Sequence, residues 1–446
     1  MSFVFFFSFS KVCFEASNSN VHNEIFESLR MMIRRKVPYD LMQEDRFDLS
    51  TLRCIYRVPK RLRQGNDDEA YTPQVVSIGP LHHGKGHLNG MEYHKKRYRQ
   101  GFLRRTTKTL GFFKMKLRDQ EARLRSCYAE PIGYSSEDFL EIILVDAVFV
   151  IEFLLKCSDQ NFRHEDDYIF RRPWMCDDVL VDLRMLENQL PLFILEDLFV
   201  ADRYFDSTSK PSISSLSYYL FSTTFYREGT KNVVLQRTGF PEATHFVDLI
   251  RNSCLPSNPN AERKLKTINI PSITELHRAG VKLKVGSADK LFDIRFADGT
   301  LEIPKLEISD QTELIIRNLV AFEQCHYVEK DISNYVRLMD CFVNTPRDVE
   351  LLVKYGIVEN FLGDNSEVST LINKLGKGVQ INVNNFYFAS VCEALNTYYR
   401  APWNKWKANL RQNYFNTPWA IISFVAAVSF LILTFIQAVC SIISIA

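Results

Sequence analysis

Residues 417–446 contain no charged side chain, and residues 421–439 form a nearly unbroken apolar run. About twenty apolar residues, at a rise of about 1.5 Å each, cross the roughly 30 Å hydrocarbon layer of a bilayer as one helix. About a dozen Ile, Leu, Val and Phe side chains at roughly −0.4 kcal/mol each give insertion on the order of −5 kcal/mol, which outweighs Ser423, Ser429, Thr434 and Gln437. The run therefore predicts a transmembrane anchor over residues 417–441, with Pro418 suited to the first helical position, Trp419 at the interface, Leu431 near the middle and Val439 toward the far end.

The flanks of the span predict its orientation. Lys405, Lys407 and Arg411 precede it, so the basic excess places the preceding domain on the cytosolic side. Trp403, Trp406 and Tyr414 join Trp419 as an aromatic belt at headgroup depth. Ser423 and Ala427 make a weak small-xxx-small face, the feature in the span that would serve a homo-oligomer.

The 446 residues are 46% hydrophobic and 24% charged, enough apolar material for one large core or two smaller ones ahead of the span. A formal net charge of +2 argues against nucleic acid as a partner. The ten cysteines are scattered singly without a C-x-x-C pair, and no N-x-[ST] acceptor occurs, so the thiols read as reduced and the domain as cytosolic. The apolar start, residues 1–9, is like the h-region of a signal peptide but has no basic n-region and no small-x-small cleavage site. Residues 1–50 are read as a variable N-terminal region, with helical spacing over 23–53 interrupted at Pro38.

Between the two ends the pattern is mainly helical. Helices are expected over residues 90–125, 137–156, 180–200, 311–322, 346–355, 366–375 and 386–414, with loops at 207–212 and 255–260. In the first of these, Leu103, Leu110, Phe113, Met115 and Leu117 approximate an apolar face, and Lys95, Lys96, Arg97, Arg104, Arg105 and Lys108 read as a solvated charged face. The almost wholly apolar middle of 137–156 marks a buried helix. A small β element is expected at about 270–308, where strand-like residues 291–296 and 300–303 flank Asp298-Gly299, a hairpin turn pair tolerant of positive φ. The fold class is thus mainly α, a multi-helix domain over residues 51–416 with a small β-hairpin element, plus one C-terminal transmembrane helix.

Chemistry is harder to find. Gly79-Pro80-Leu81-His82-His83-Gly84-Lys85 fits G-x-x-x-x-G-K after the strand-like residues 74–78, yet the next residue is Gly86 where Mg²⁺ needs Ser or Thr, and Pro80 removes a backbone donor. Residues 142–146 imitate the apolar strand that ends in a metal-binding Asp, but they lie in a helical pattern. A tight Gly-Pro turn is the better reading. His82, His83, His87 and His94 cluster in the same region without a spacing that selects a tetrahedral set, and no metal or cofactor is expected. Glu187, Asn188 and Gln189 before Pro191 are a buried polar node that satisfies freed backbone groups, or alternatively a catalytic carboxylate. Arg317 with Glu323, and His277 with Arg278, read as network residues. No G-x-S-x-G, H-E-x-x-H or dinucleotide fingerprint is present, so no enzyme is expected.

Four blocks carry a resemblance. Tyr71-Thr72-Pro73-Gln74-Val75-Val76-Ser77-Ile78-Gly79-Pro80-Leu81-His82-His83-Gly84, Leu186-Glu187-Asn188-Gln189-Leu190-Pro191, Arg317-Asn318-Leu319-Val320-Ala321-Phe322-Glu323-Gln324-Cys325 and the ending Tyr414-Phe415-Asn416-Thr417-Pro418-Trp419-Ala420 resemble the plant family called domain of unknown function 247. The resemblance covers nearly the whole chain after about Thr51. It implies a mostly helical plant membrane protein without an assigned reaction. Some grass members are associated with pollen self-incompatibility, which implies a recognition role. The leading expectation is a membrane-tethered interaction or recognition protein with the lipid bilayer and a protein as partners. The competing expectations are a cryptic enzyme or metal-binding protein built on the His-rich loop or the Glu187 node, and a histidine-based sensor.

Overall fold

The computed structural model describes residues 52–63, 67–199, 211–221, 243–255, 263–264, 266, 270–286, 291–402 and 418–445. The chain divides at Leu52/Arg53 into two units, and the elements below belong to the second. The apolar start, nearly all of the helical spacing over 23–53, most of the polar loops at 207–212 and 255–260, and residues 403–414 of the basic and aromatic flank fall outside the described residues.

Helix α4, Ser136–Ser158, is the axis of the N-terminal half. The Ser135 side chain caps it by accepting the Asp138 N–H at 3.2 Å, and Glu137 and Asp138 suit the positive end of its dipole. Its middle is buried all round, as a helix without a polar stripe must be. Around it pack α1 (Asn89–Arg105), α2 (Leu110–Arg118), α6 (Leu192–Leu198) and α7 (Ile213–Phe221). The short α3 (Glu121–Ser126) leads toward α4, and α5 (Pro173–Asp182) follows it with Pro173 in its first turn.

The C-terminal half begins with α8 (Phe246–Cys254) and α9 (Ile273–Arg278), the latter started by a Ser272–Glu275 capping box. Strands β1 (Lys282–Val285), β2 (Arg295–Ala297) and β3 (Thr300–Ile303) form a sheet in the order β1-β3-β2, with β3 parallel to β1 and antiparallel to β2. Asp298 (φ 48°) and Gly299 (φ 72°) turn the β2–β3 hairpin, the positive φ pair a two-residue turn requires. Strand β4 (Leu306–Ile308) leaves the region and pairs in parallel with β5 (Val358–Asn360), so the β structure reaches beyond residues 270–308. Helices α10 (Asp310–His326), α11 (Asp331–Phe342), α12 (Pro346–Lys354), α13 (Asn365–Leu375) and α14 (Ala389–Arg400) complete the half. Thr345 and Asp348 form the capping box that starts α12. Among the described residues the last helix is α15, Pro418–Ile445.

The structure corrects several expectations. Residues 90–125 are three helices instead of one, broken at residues 106–109, where Thr109 caps α2 by accepting the Phe112 N–H at 3.3 Å, and again at residues 119–120. Met115, expected on the apolar face, is 59% exposed. Lys95, expected in solvent, is fully buried because it ion-pairs with Asp146 inside the core, and Arg105 likewise turns inward to Glu152. Residues 180–200 do not form one helix: α5 ends at Asp182, and α6 starts only after Pro191. The intervening residues turn irregularly around the polar trio Glu187-Asn188-Gln189. Helices α7, α8, α9 and α11 fall where no helix was expected, and α5 begins ahead of the expected 180–200.

Candidate functional site: a buried polar node

The extended segment 74–79 enters the core without joining a sheet. Buried amides must find partners, and here side chains supply them. Asp182, at the end of α5, accepts the N–H groups of Gln74, Val75 and Val76 at 2.9, 2.7 and 2.8 Å. Asn188 accepts from the Ile78 N–H at 2.7 Å and donates to the carbonyls of Val76 and Asp182 at 3.0 Å each. Asp146, from the middle of α4, accepts the Gly79 N–H at 2.8 Å and holds Lys95 Nζ at 2.6 Å.

The turn that follows needs glycine. Gly79 has φ +77°, and a Cβ there would stand 2.7 Å from the Gln189 carbonyl oxygen and 3.0 Å from the Tyr128 hydroxyl. Pro80 is buried beside it, and Gly84 (φ +81°) closes the loop on the exposed side. With the Gly79 N–H committed to Asp146, this backbone is a scaffold turn. Asp146, which ends the residues read as a mimic of a metal-binding strand, lies inside α4.

Glu187 is the charged centre of the node. Its side chain is completely buried; Oε1 accepts the Val58 N–H at 2.7 Å and a bond from Arg63, and Arg57 Nη1 stands 3.5 Å from Oε2. His82, 1% exposed, brings Nε2 to 3.0 Å from Oε2 without the alignment of a hydrogen bond. Burial lowers the His82 pKa, so the ring stands neutral at pH 7. Burial alone would raise that of Glu187, but His82, the Val58 N–H and Arg63 outweigh it and hold the carboxyl below its ordinary value.

Gln189 finishes the trio. Its Nε2 donates to the carbonyls of Leu183 (2.7 Å) and Met185 (2.8 Å), its Oε1 accepts the Phe246 N–H at 3.0 Å, and its own carbonyl accepts the Tyr128 hydroxyl at 3.2 Å. Pro191 precedes α6. Asn318, on α10, accepts the Leu186 N–H and donates to Ala70 O and Leu314 O, each at 2.8 Å. Three of the sequence blocks, some hundred and more residues apart, thus converge through Asn188 and Asn318.

Arg317 and Glu323 do not meet. Arg317 pairs with Glu313 at 2.7 Å, and Glu323 with Arg251 at 3.0 Å while accepting the Ile332 and Ser333 N–H groups at 3.1 and 2.8 Å. His277 contacts Tyr355 at 3.0 Å. The clustered histidines also separate. His83 lies edge-on to Tyr134, His87 Nε2 is 3.0 Å from Pro73 O, and His94 stacks on Tyr168. Among the described residues no group of three or more His, Cys, Asp or Glu side chains is placed to hold a metal ion.

Sequence reading missed the partners Arg57, Arg63, Lys95 and Asp182. One signal was available: a lone Asp146 in an apolar helix requires a cation or amide donors once buried. Two cavities accompany the node without reaching it. One of about 20 Å³ is lined by apolar side chains such as Ile308 and Met339; the other, about 830 Å³, opens between α1, α4 and residues 159–168.

The geometry defines a helical domain whose extended loops are held by buried side-chain hydrogen bonds, in a chain whose α15 contains a stretch, Ile422–Cys440, long and apolar enough to span a membrane. The chain belongs to the plant family of domain of unknown function 247, described as a plant protein of unknown function, which it matches over residues 55–433. It is similar to two UPF0481 proteins of Arabidopsis thaliana. One is 29% identical over 420 residues, covering 88% of this chain and 86% of the relative. The other is 23% identical over 522 aligned positions, covering 94% and 96%. No solved structure matches the chain.

Proposed function

We propose that the protein is a membrane-tethered interaction module, its helical domain held at the cytosolic face by α15 and acting by binding another protein. The observation that carries this reading is the commitment of the sequence blocks' polar groups to the fold itself: Glu187, Asn188, Gln189 and Asn318 are buried and hydrogen-bonded within it, and His82 is buried against Glu187, instead of lining an opening. The apolar span of 19 residues supports the tether, and the basic residues Lys405, Lys407 and Arg411 before it support the orientation. Trp174, 58% exposed at the start of α5, is a side chain of the kind that anchors protein interfaces.

Protease added to sealed vesicles carrying the full chain should digest the domain and leave a short protected tail. The anchored chain used as bait should recover a reproducible protein partner whose capture weakens on Trp174→Ala. Protection of the whole domain would overturn the orientation. Turnover of a defined substrate, lost on Glu187→Gln with folding intact, would replace the interaction reading with an enzymatic one.

A further inference from the structure

Helix α1 presents one face to the 830 Å³ pocket: His94, Arg97, Tyr98, Gly101, Arg104 and Arg105, the spacing of a single helical stripe. The volume lies within the range of small-molecule sites, roughly 300–1,000 Å³. The floor is built from buried, paired charges. Arg105 grips Glu152 with two bonds, one of 2.8 Å, and Lys156 lies 2.5 Å from Asp167, which also accepts the Tyr98 hydroxyl at 2.9 Å.

Gly101 lines this pocket from the interior of α1. Glycine there costs helix stability relative to alanine, and no close contact demands it, since no heavy atom lies within 4 Å of where its Cβ would stand. The missing side chain is open pocket.

The charge inventory selects the sign of an occupant. Three of the four lining carboxylates are paired with cations, Glu152 with Arg105, Asp166 with Arg97 and Asp167 with Lys156, and the fourth, Asp159, is turned to the Asn161 N–H at 2.8 Å, where it caps the short turn over residues 160–162. Arg104 makes no hydrogen bond or ion pair among the described residues, and the Arg97–Asp166 pair sits at the rim with side chains 45% and 64% exposed. An exposed pair of that kind is weak and exchangeable, whereas guanidinium groups bind phosphate through paired, charge-assisted hydrogen bonds.

We propose that this pocket binds an organic phosphate, met by the unpaired Arg104 and by Arg97, which releases Asp166 to water, with the body of the ligand lying over Gly101. The site is separate from the Glu187 node and does not depend on the protein-binding reading. A soluble phosphorylated metabolite and the headgroup of a phosphorylated membrane lipid share this chemistry.

The test uses the full chain in phosphatidylcholine nanodiscs, titrated calorimetrically with inositol hexakisphosphate. Saturable binding is expected, weakened roughly tenfold or more by Arg104→Gln. Gly101→Leu should weaken it as much by filling the pocket, while the melting temperature stays level or rises because leucine is the better helix former. In nanodiscs containing a phosphoinositide, reduced apparent affinity for the soluble probe identifies the lipid headgroup as the source, and unchanged affinity identifies a soluble phosphate. No binding to the unmodified chain, or unchanged affinity in either variant, overturns the proposal.

Discussion

Replacing Gly79 by alanine tests whether the polar node is held by backbone contact. At φ +77° an L side chain costs about 1–2 kcal/mol from the clash of Cβ with its own backbone. The new Cβ would also stand 2.7 Å from the Gln189 carbonyl oxygen, a backbone atom that cannot rotate away. Relieving that contact moves either the carbonyl, which accepts the Tyr128 hydroxyl, or Gly79, whose N–H is bonded to Asp146. Loosening either of these bonds costs about 1–3 kcal/mol, so Gly79→Ala should cost about 2–5 kcal/mol. Gly84→Ala is the internal control. Gly84 has φ +81°, but nothing lies within 4 Å of its Cβ position, so only the backbone cost of about 1–2 kcal/mol applies. Urea unfolding of the detergent-solubilised chain, followed by circular dichroism, should separate the two variants by about 1–3 kcal/mol. Equal destabilisation would refute the contact argument.

Three further outcomes follow from particular side chains. Lys95→Met leaves Asp146 buried without its cation and should cost about 3–5 kcal/mol in the same unfolding assay, partly recovered when Asp146→Leu removes the remaining charge. Burial pushes the Asp182 carboxyl from 3.8 up to about 6 despite its three amide donors. The folded state then binds more protons than the unfolded one between those values, so this group's contribution to stability is full below the window and falls as pH rises through it. The loss is at most about 3 kcal/mol, and Asp182→Asn should abolish it in unfolding curves taken across pH. Leu431→Arg places a charge near the middle of the apolar span at about 2.5–3.5 kcal/mol, which should raise the fraction released from membranes by alkaline extraction.

The sequence by itself determined whatever is encoded within a short window. The apolar run at 421–439 appears inside α15, the buried character of 137–156 appears in α4, and Asp298-Gly299 appears as the β2–β3 turn. In each case local propensity and local hydrophobicity agree, so no distant residue is needed to decide the outcome. The break before α6 also has a local contributor, Pro191, although the helical pattern of 180–200 ran past it.

Tertiary structure decided where the polar groups go. Nothing near Lys95 in sequence distinguishes it from Lys96, yet one is fully buried against Asp146 and the other is exposed, because only one faces the core helix. Segment 74–79 has the composition of a strand, but its amides pair with Asp182, Asn188 and Asp146, residues brought to it from α5, α4 and the turn between α5 and α6. The histidines, adjacent in the chain, part to separate neighbours for the same reason. An unpaired buried donor or acceptor costs about 1–3 kcal/mol, and which distant side chain removes that cost is a property of packing alone.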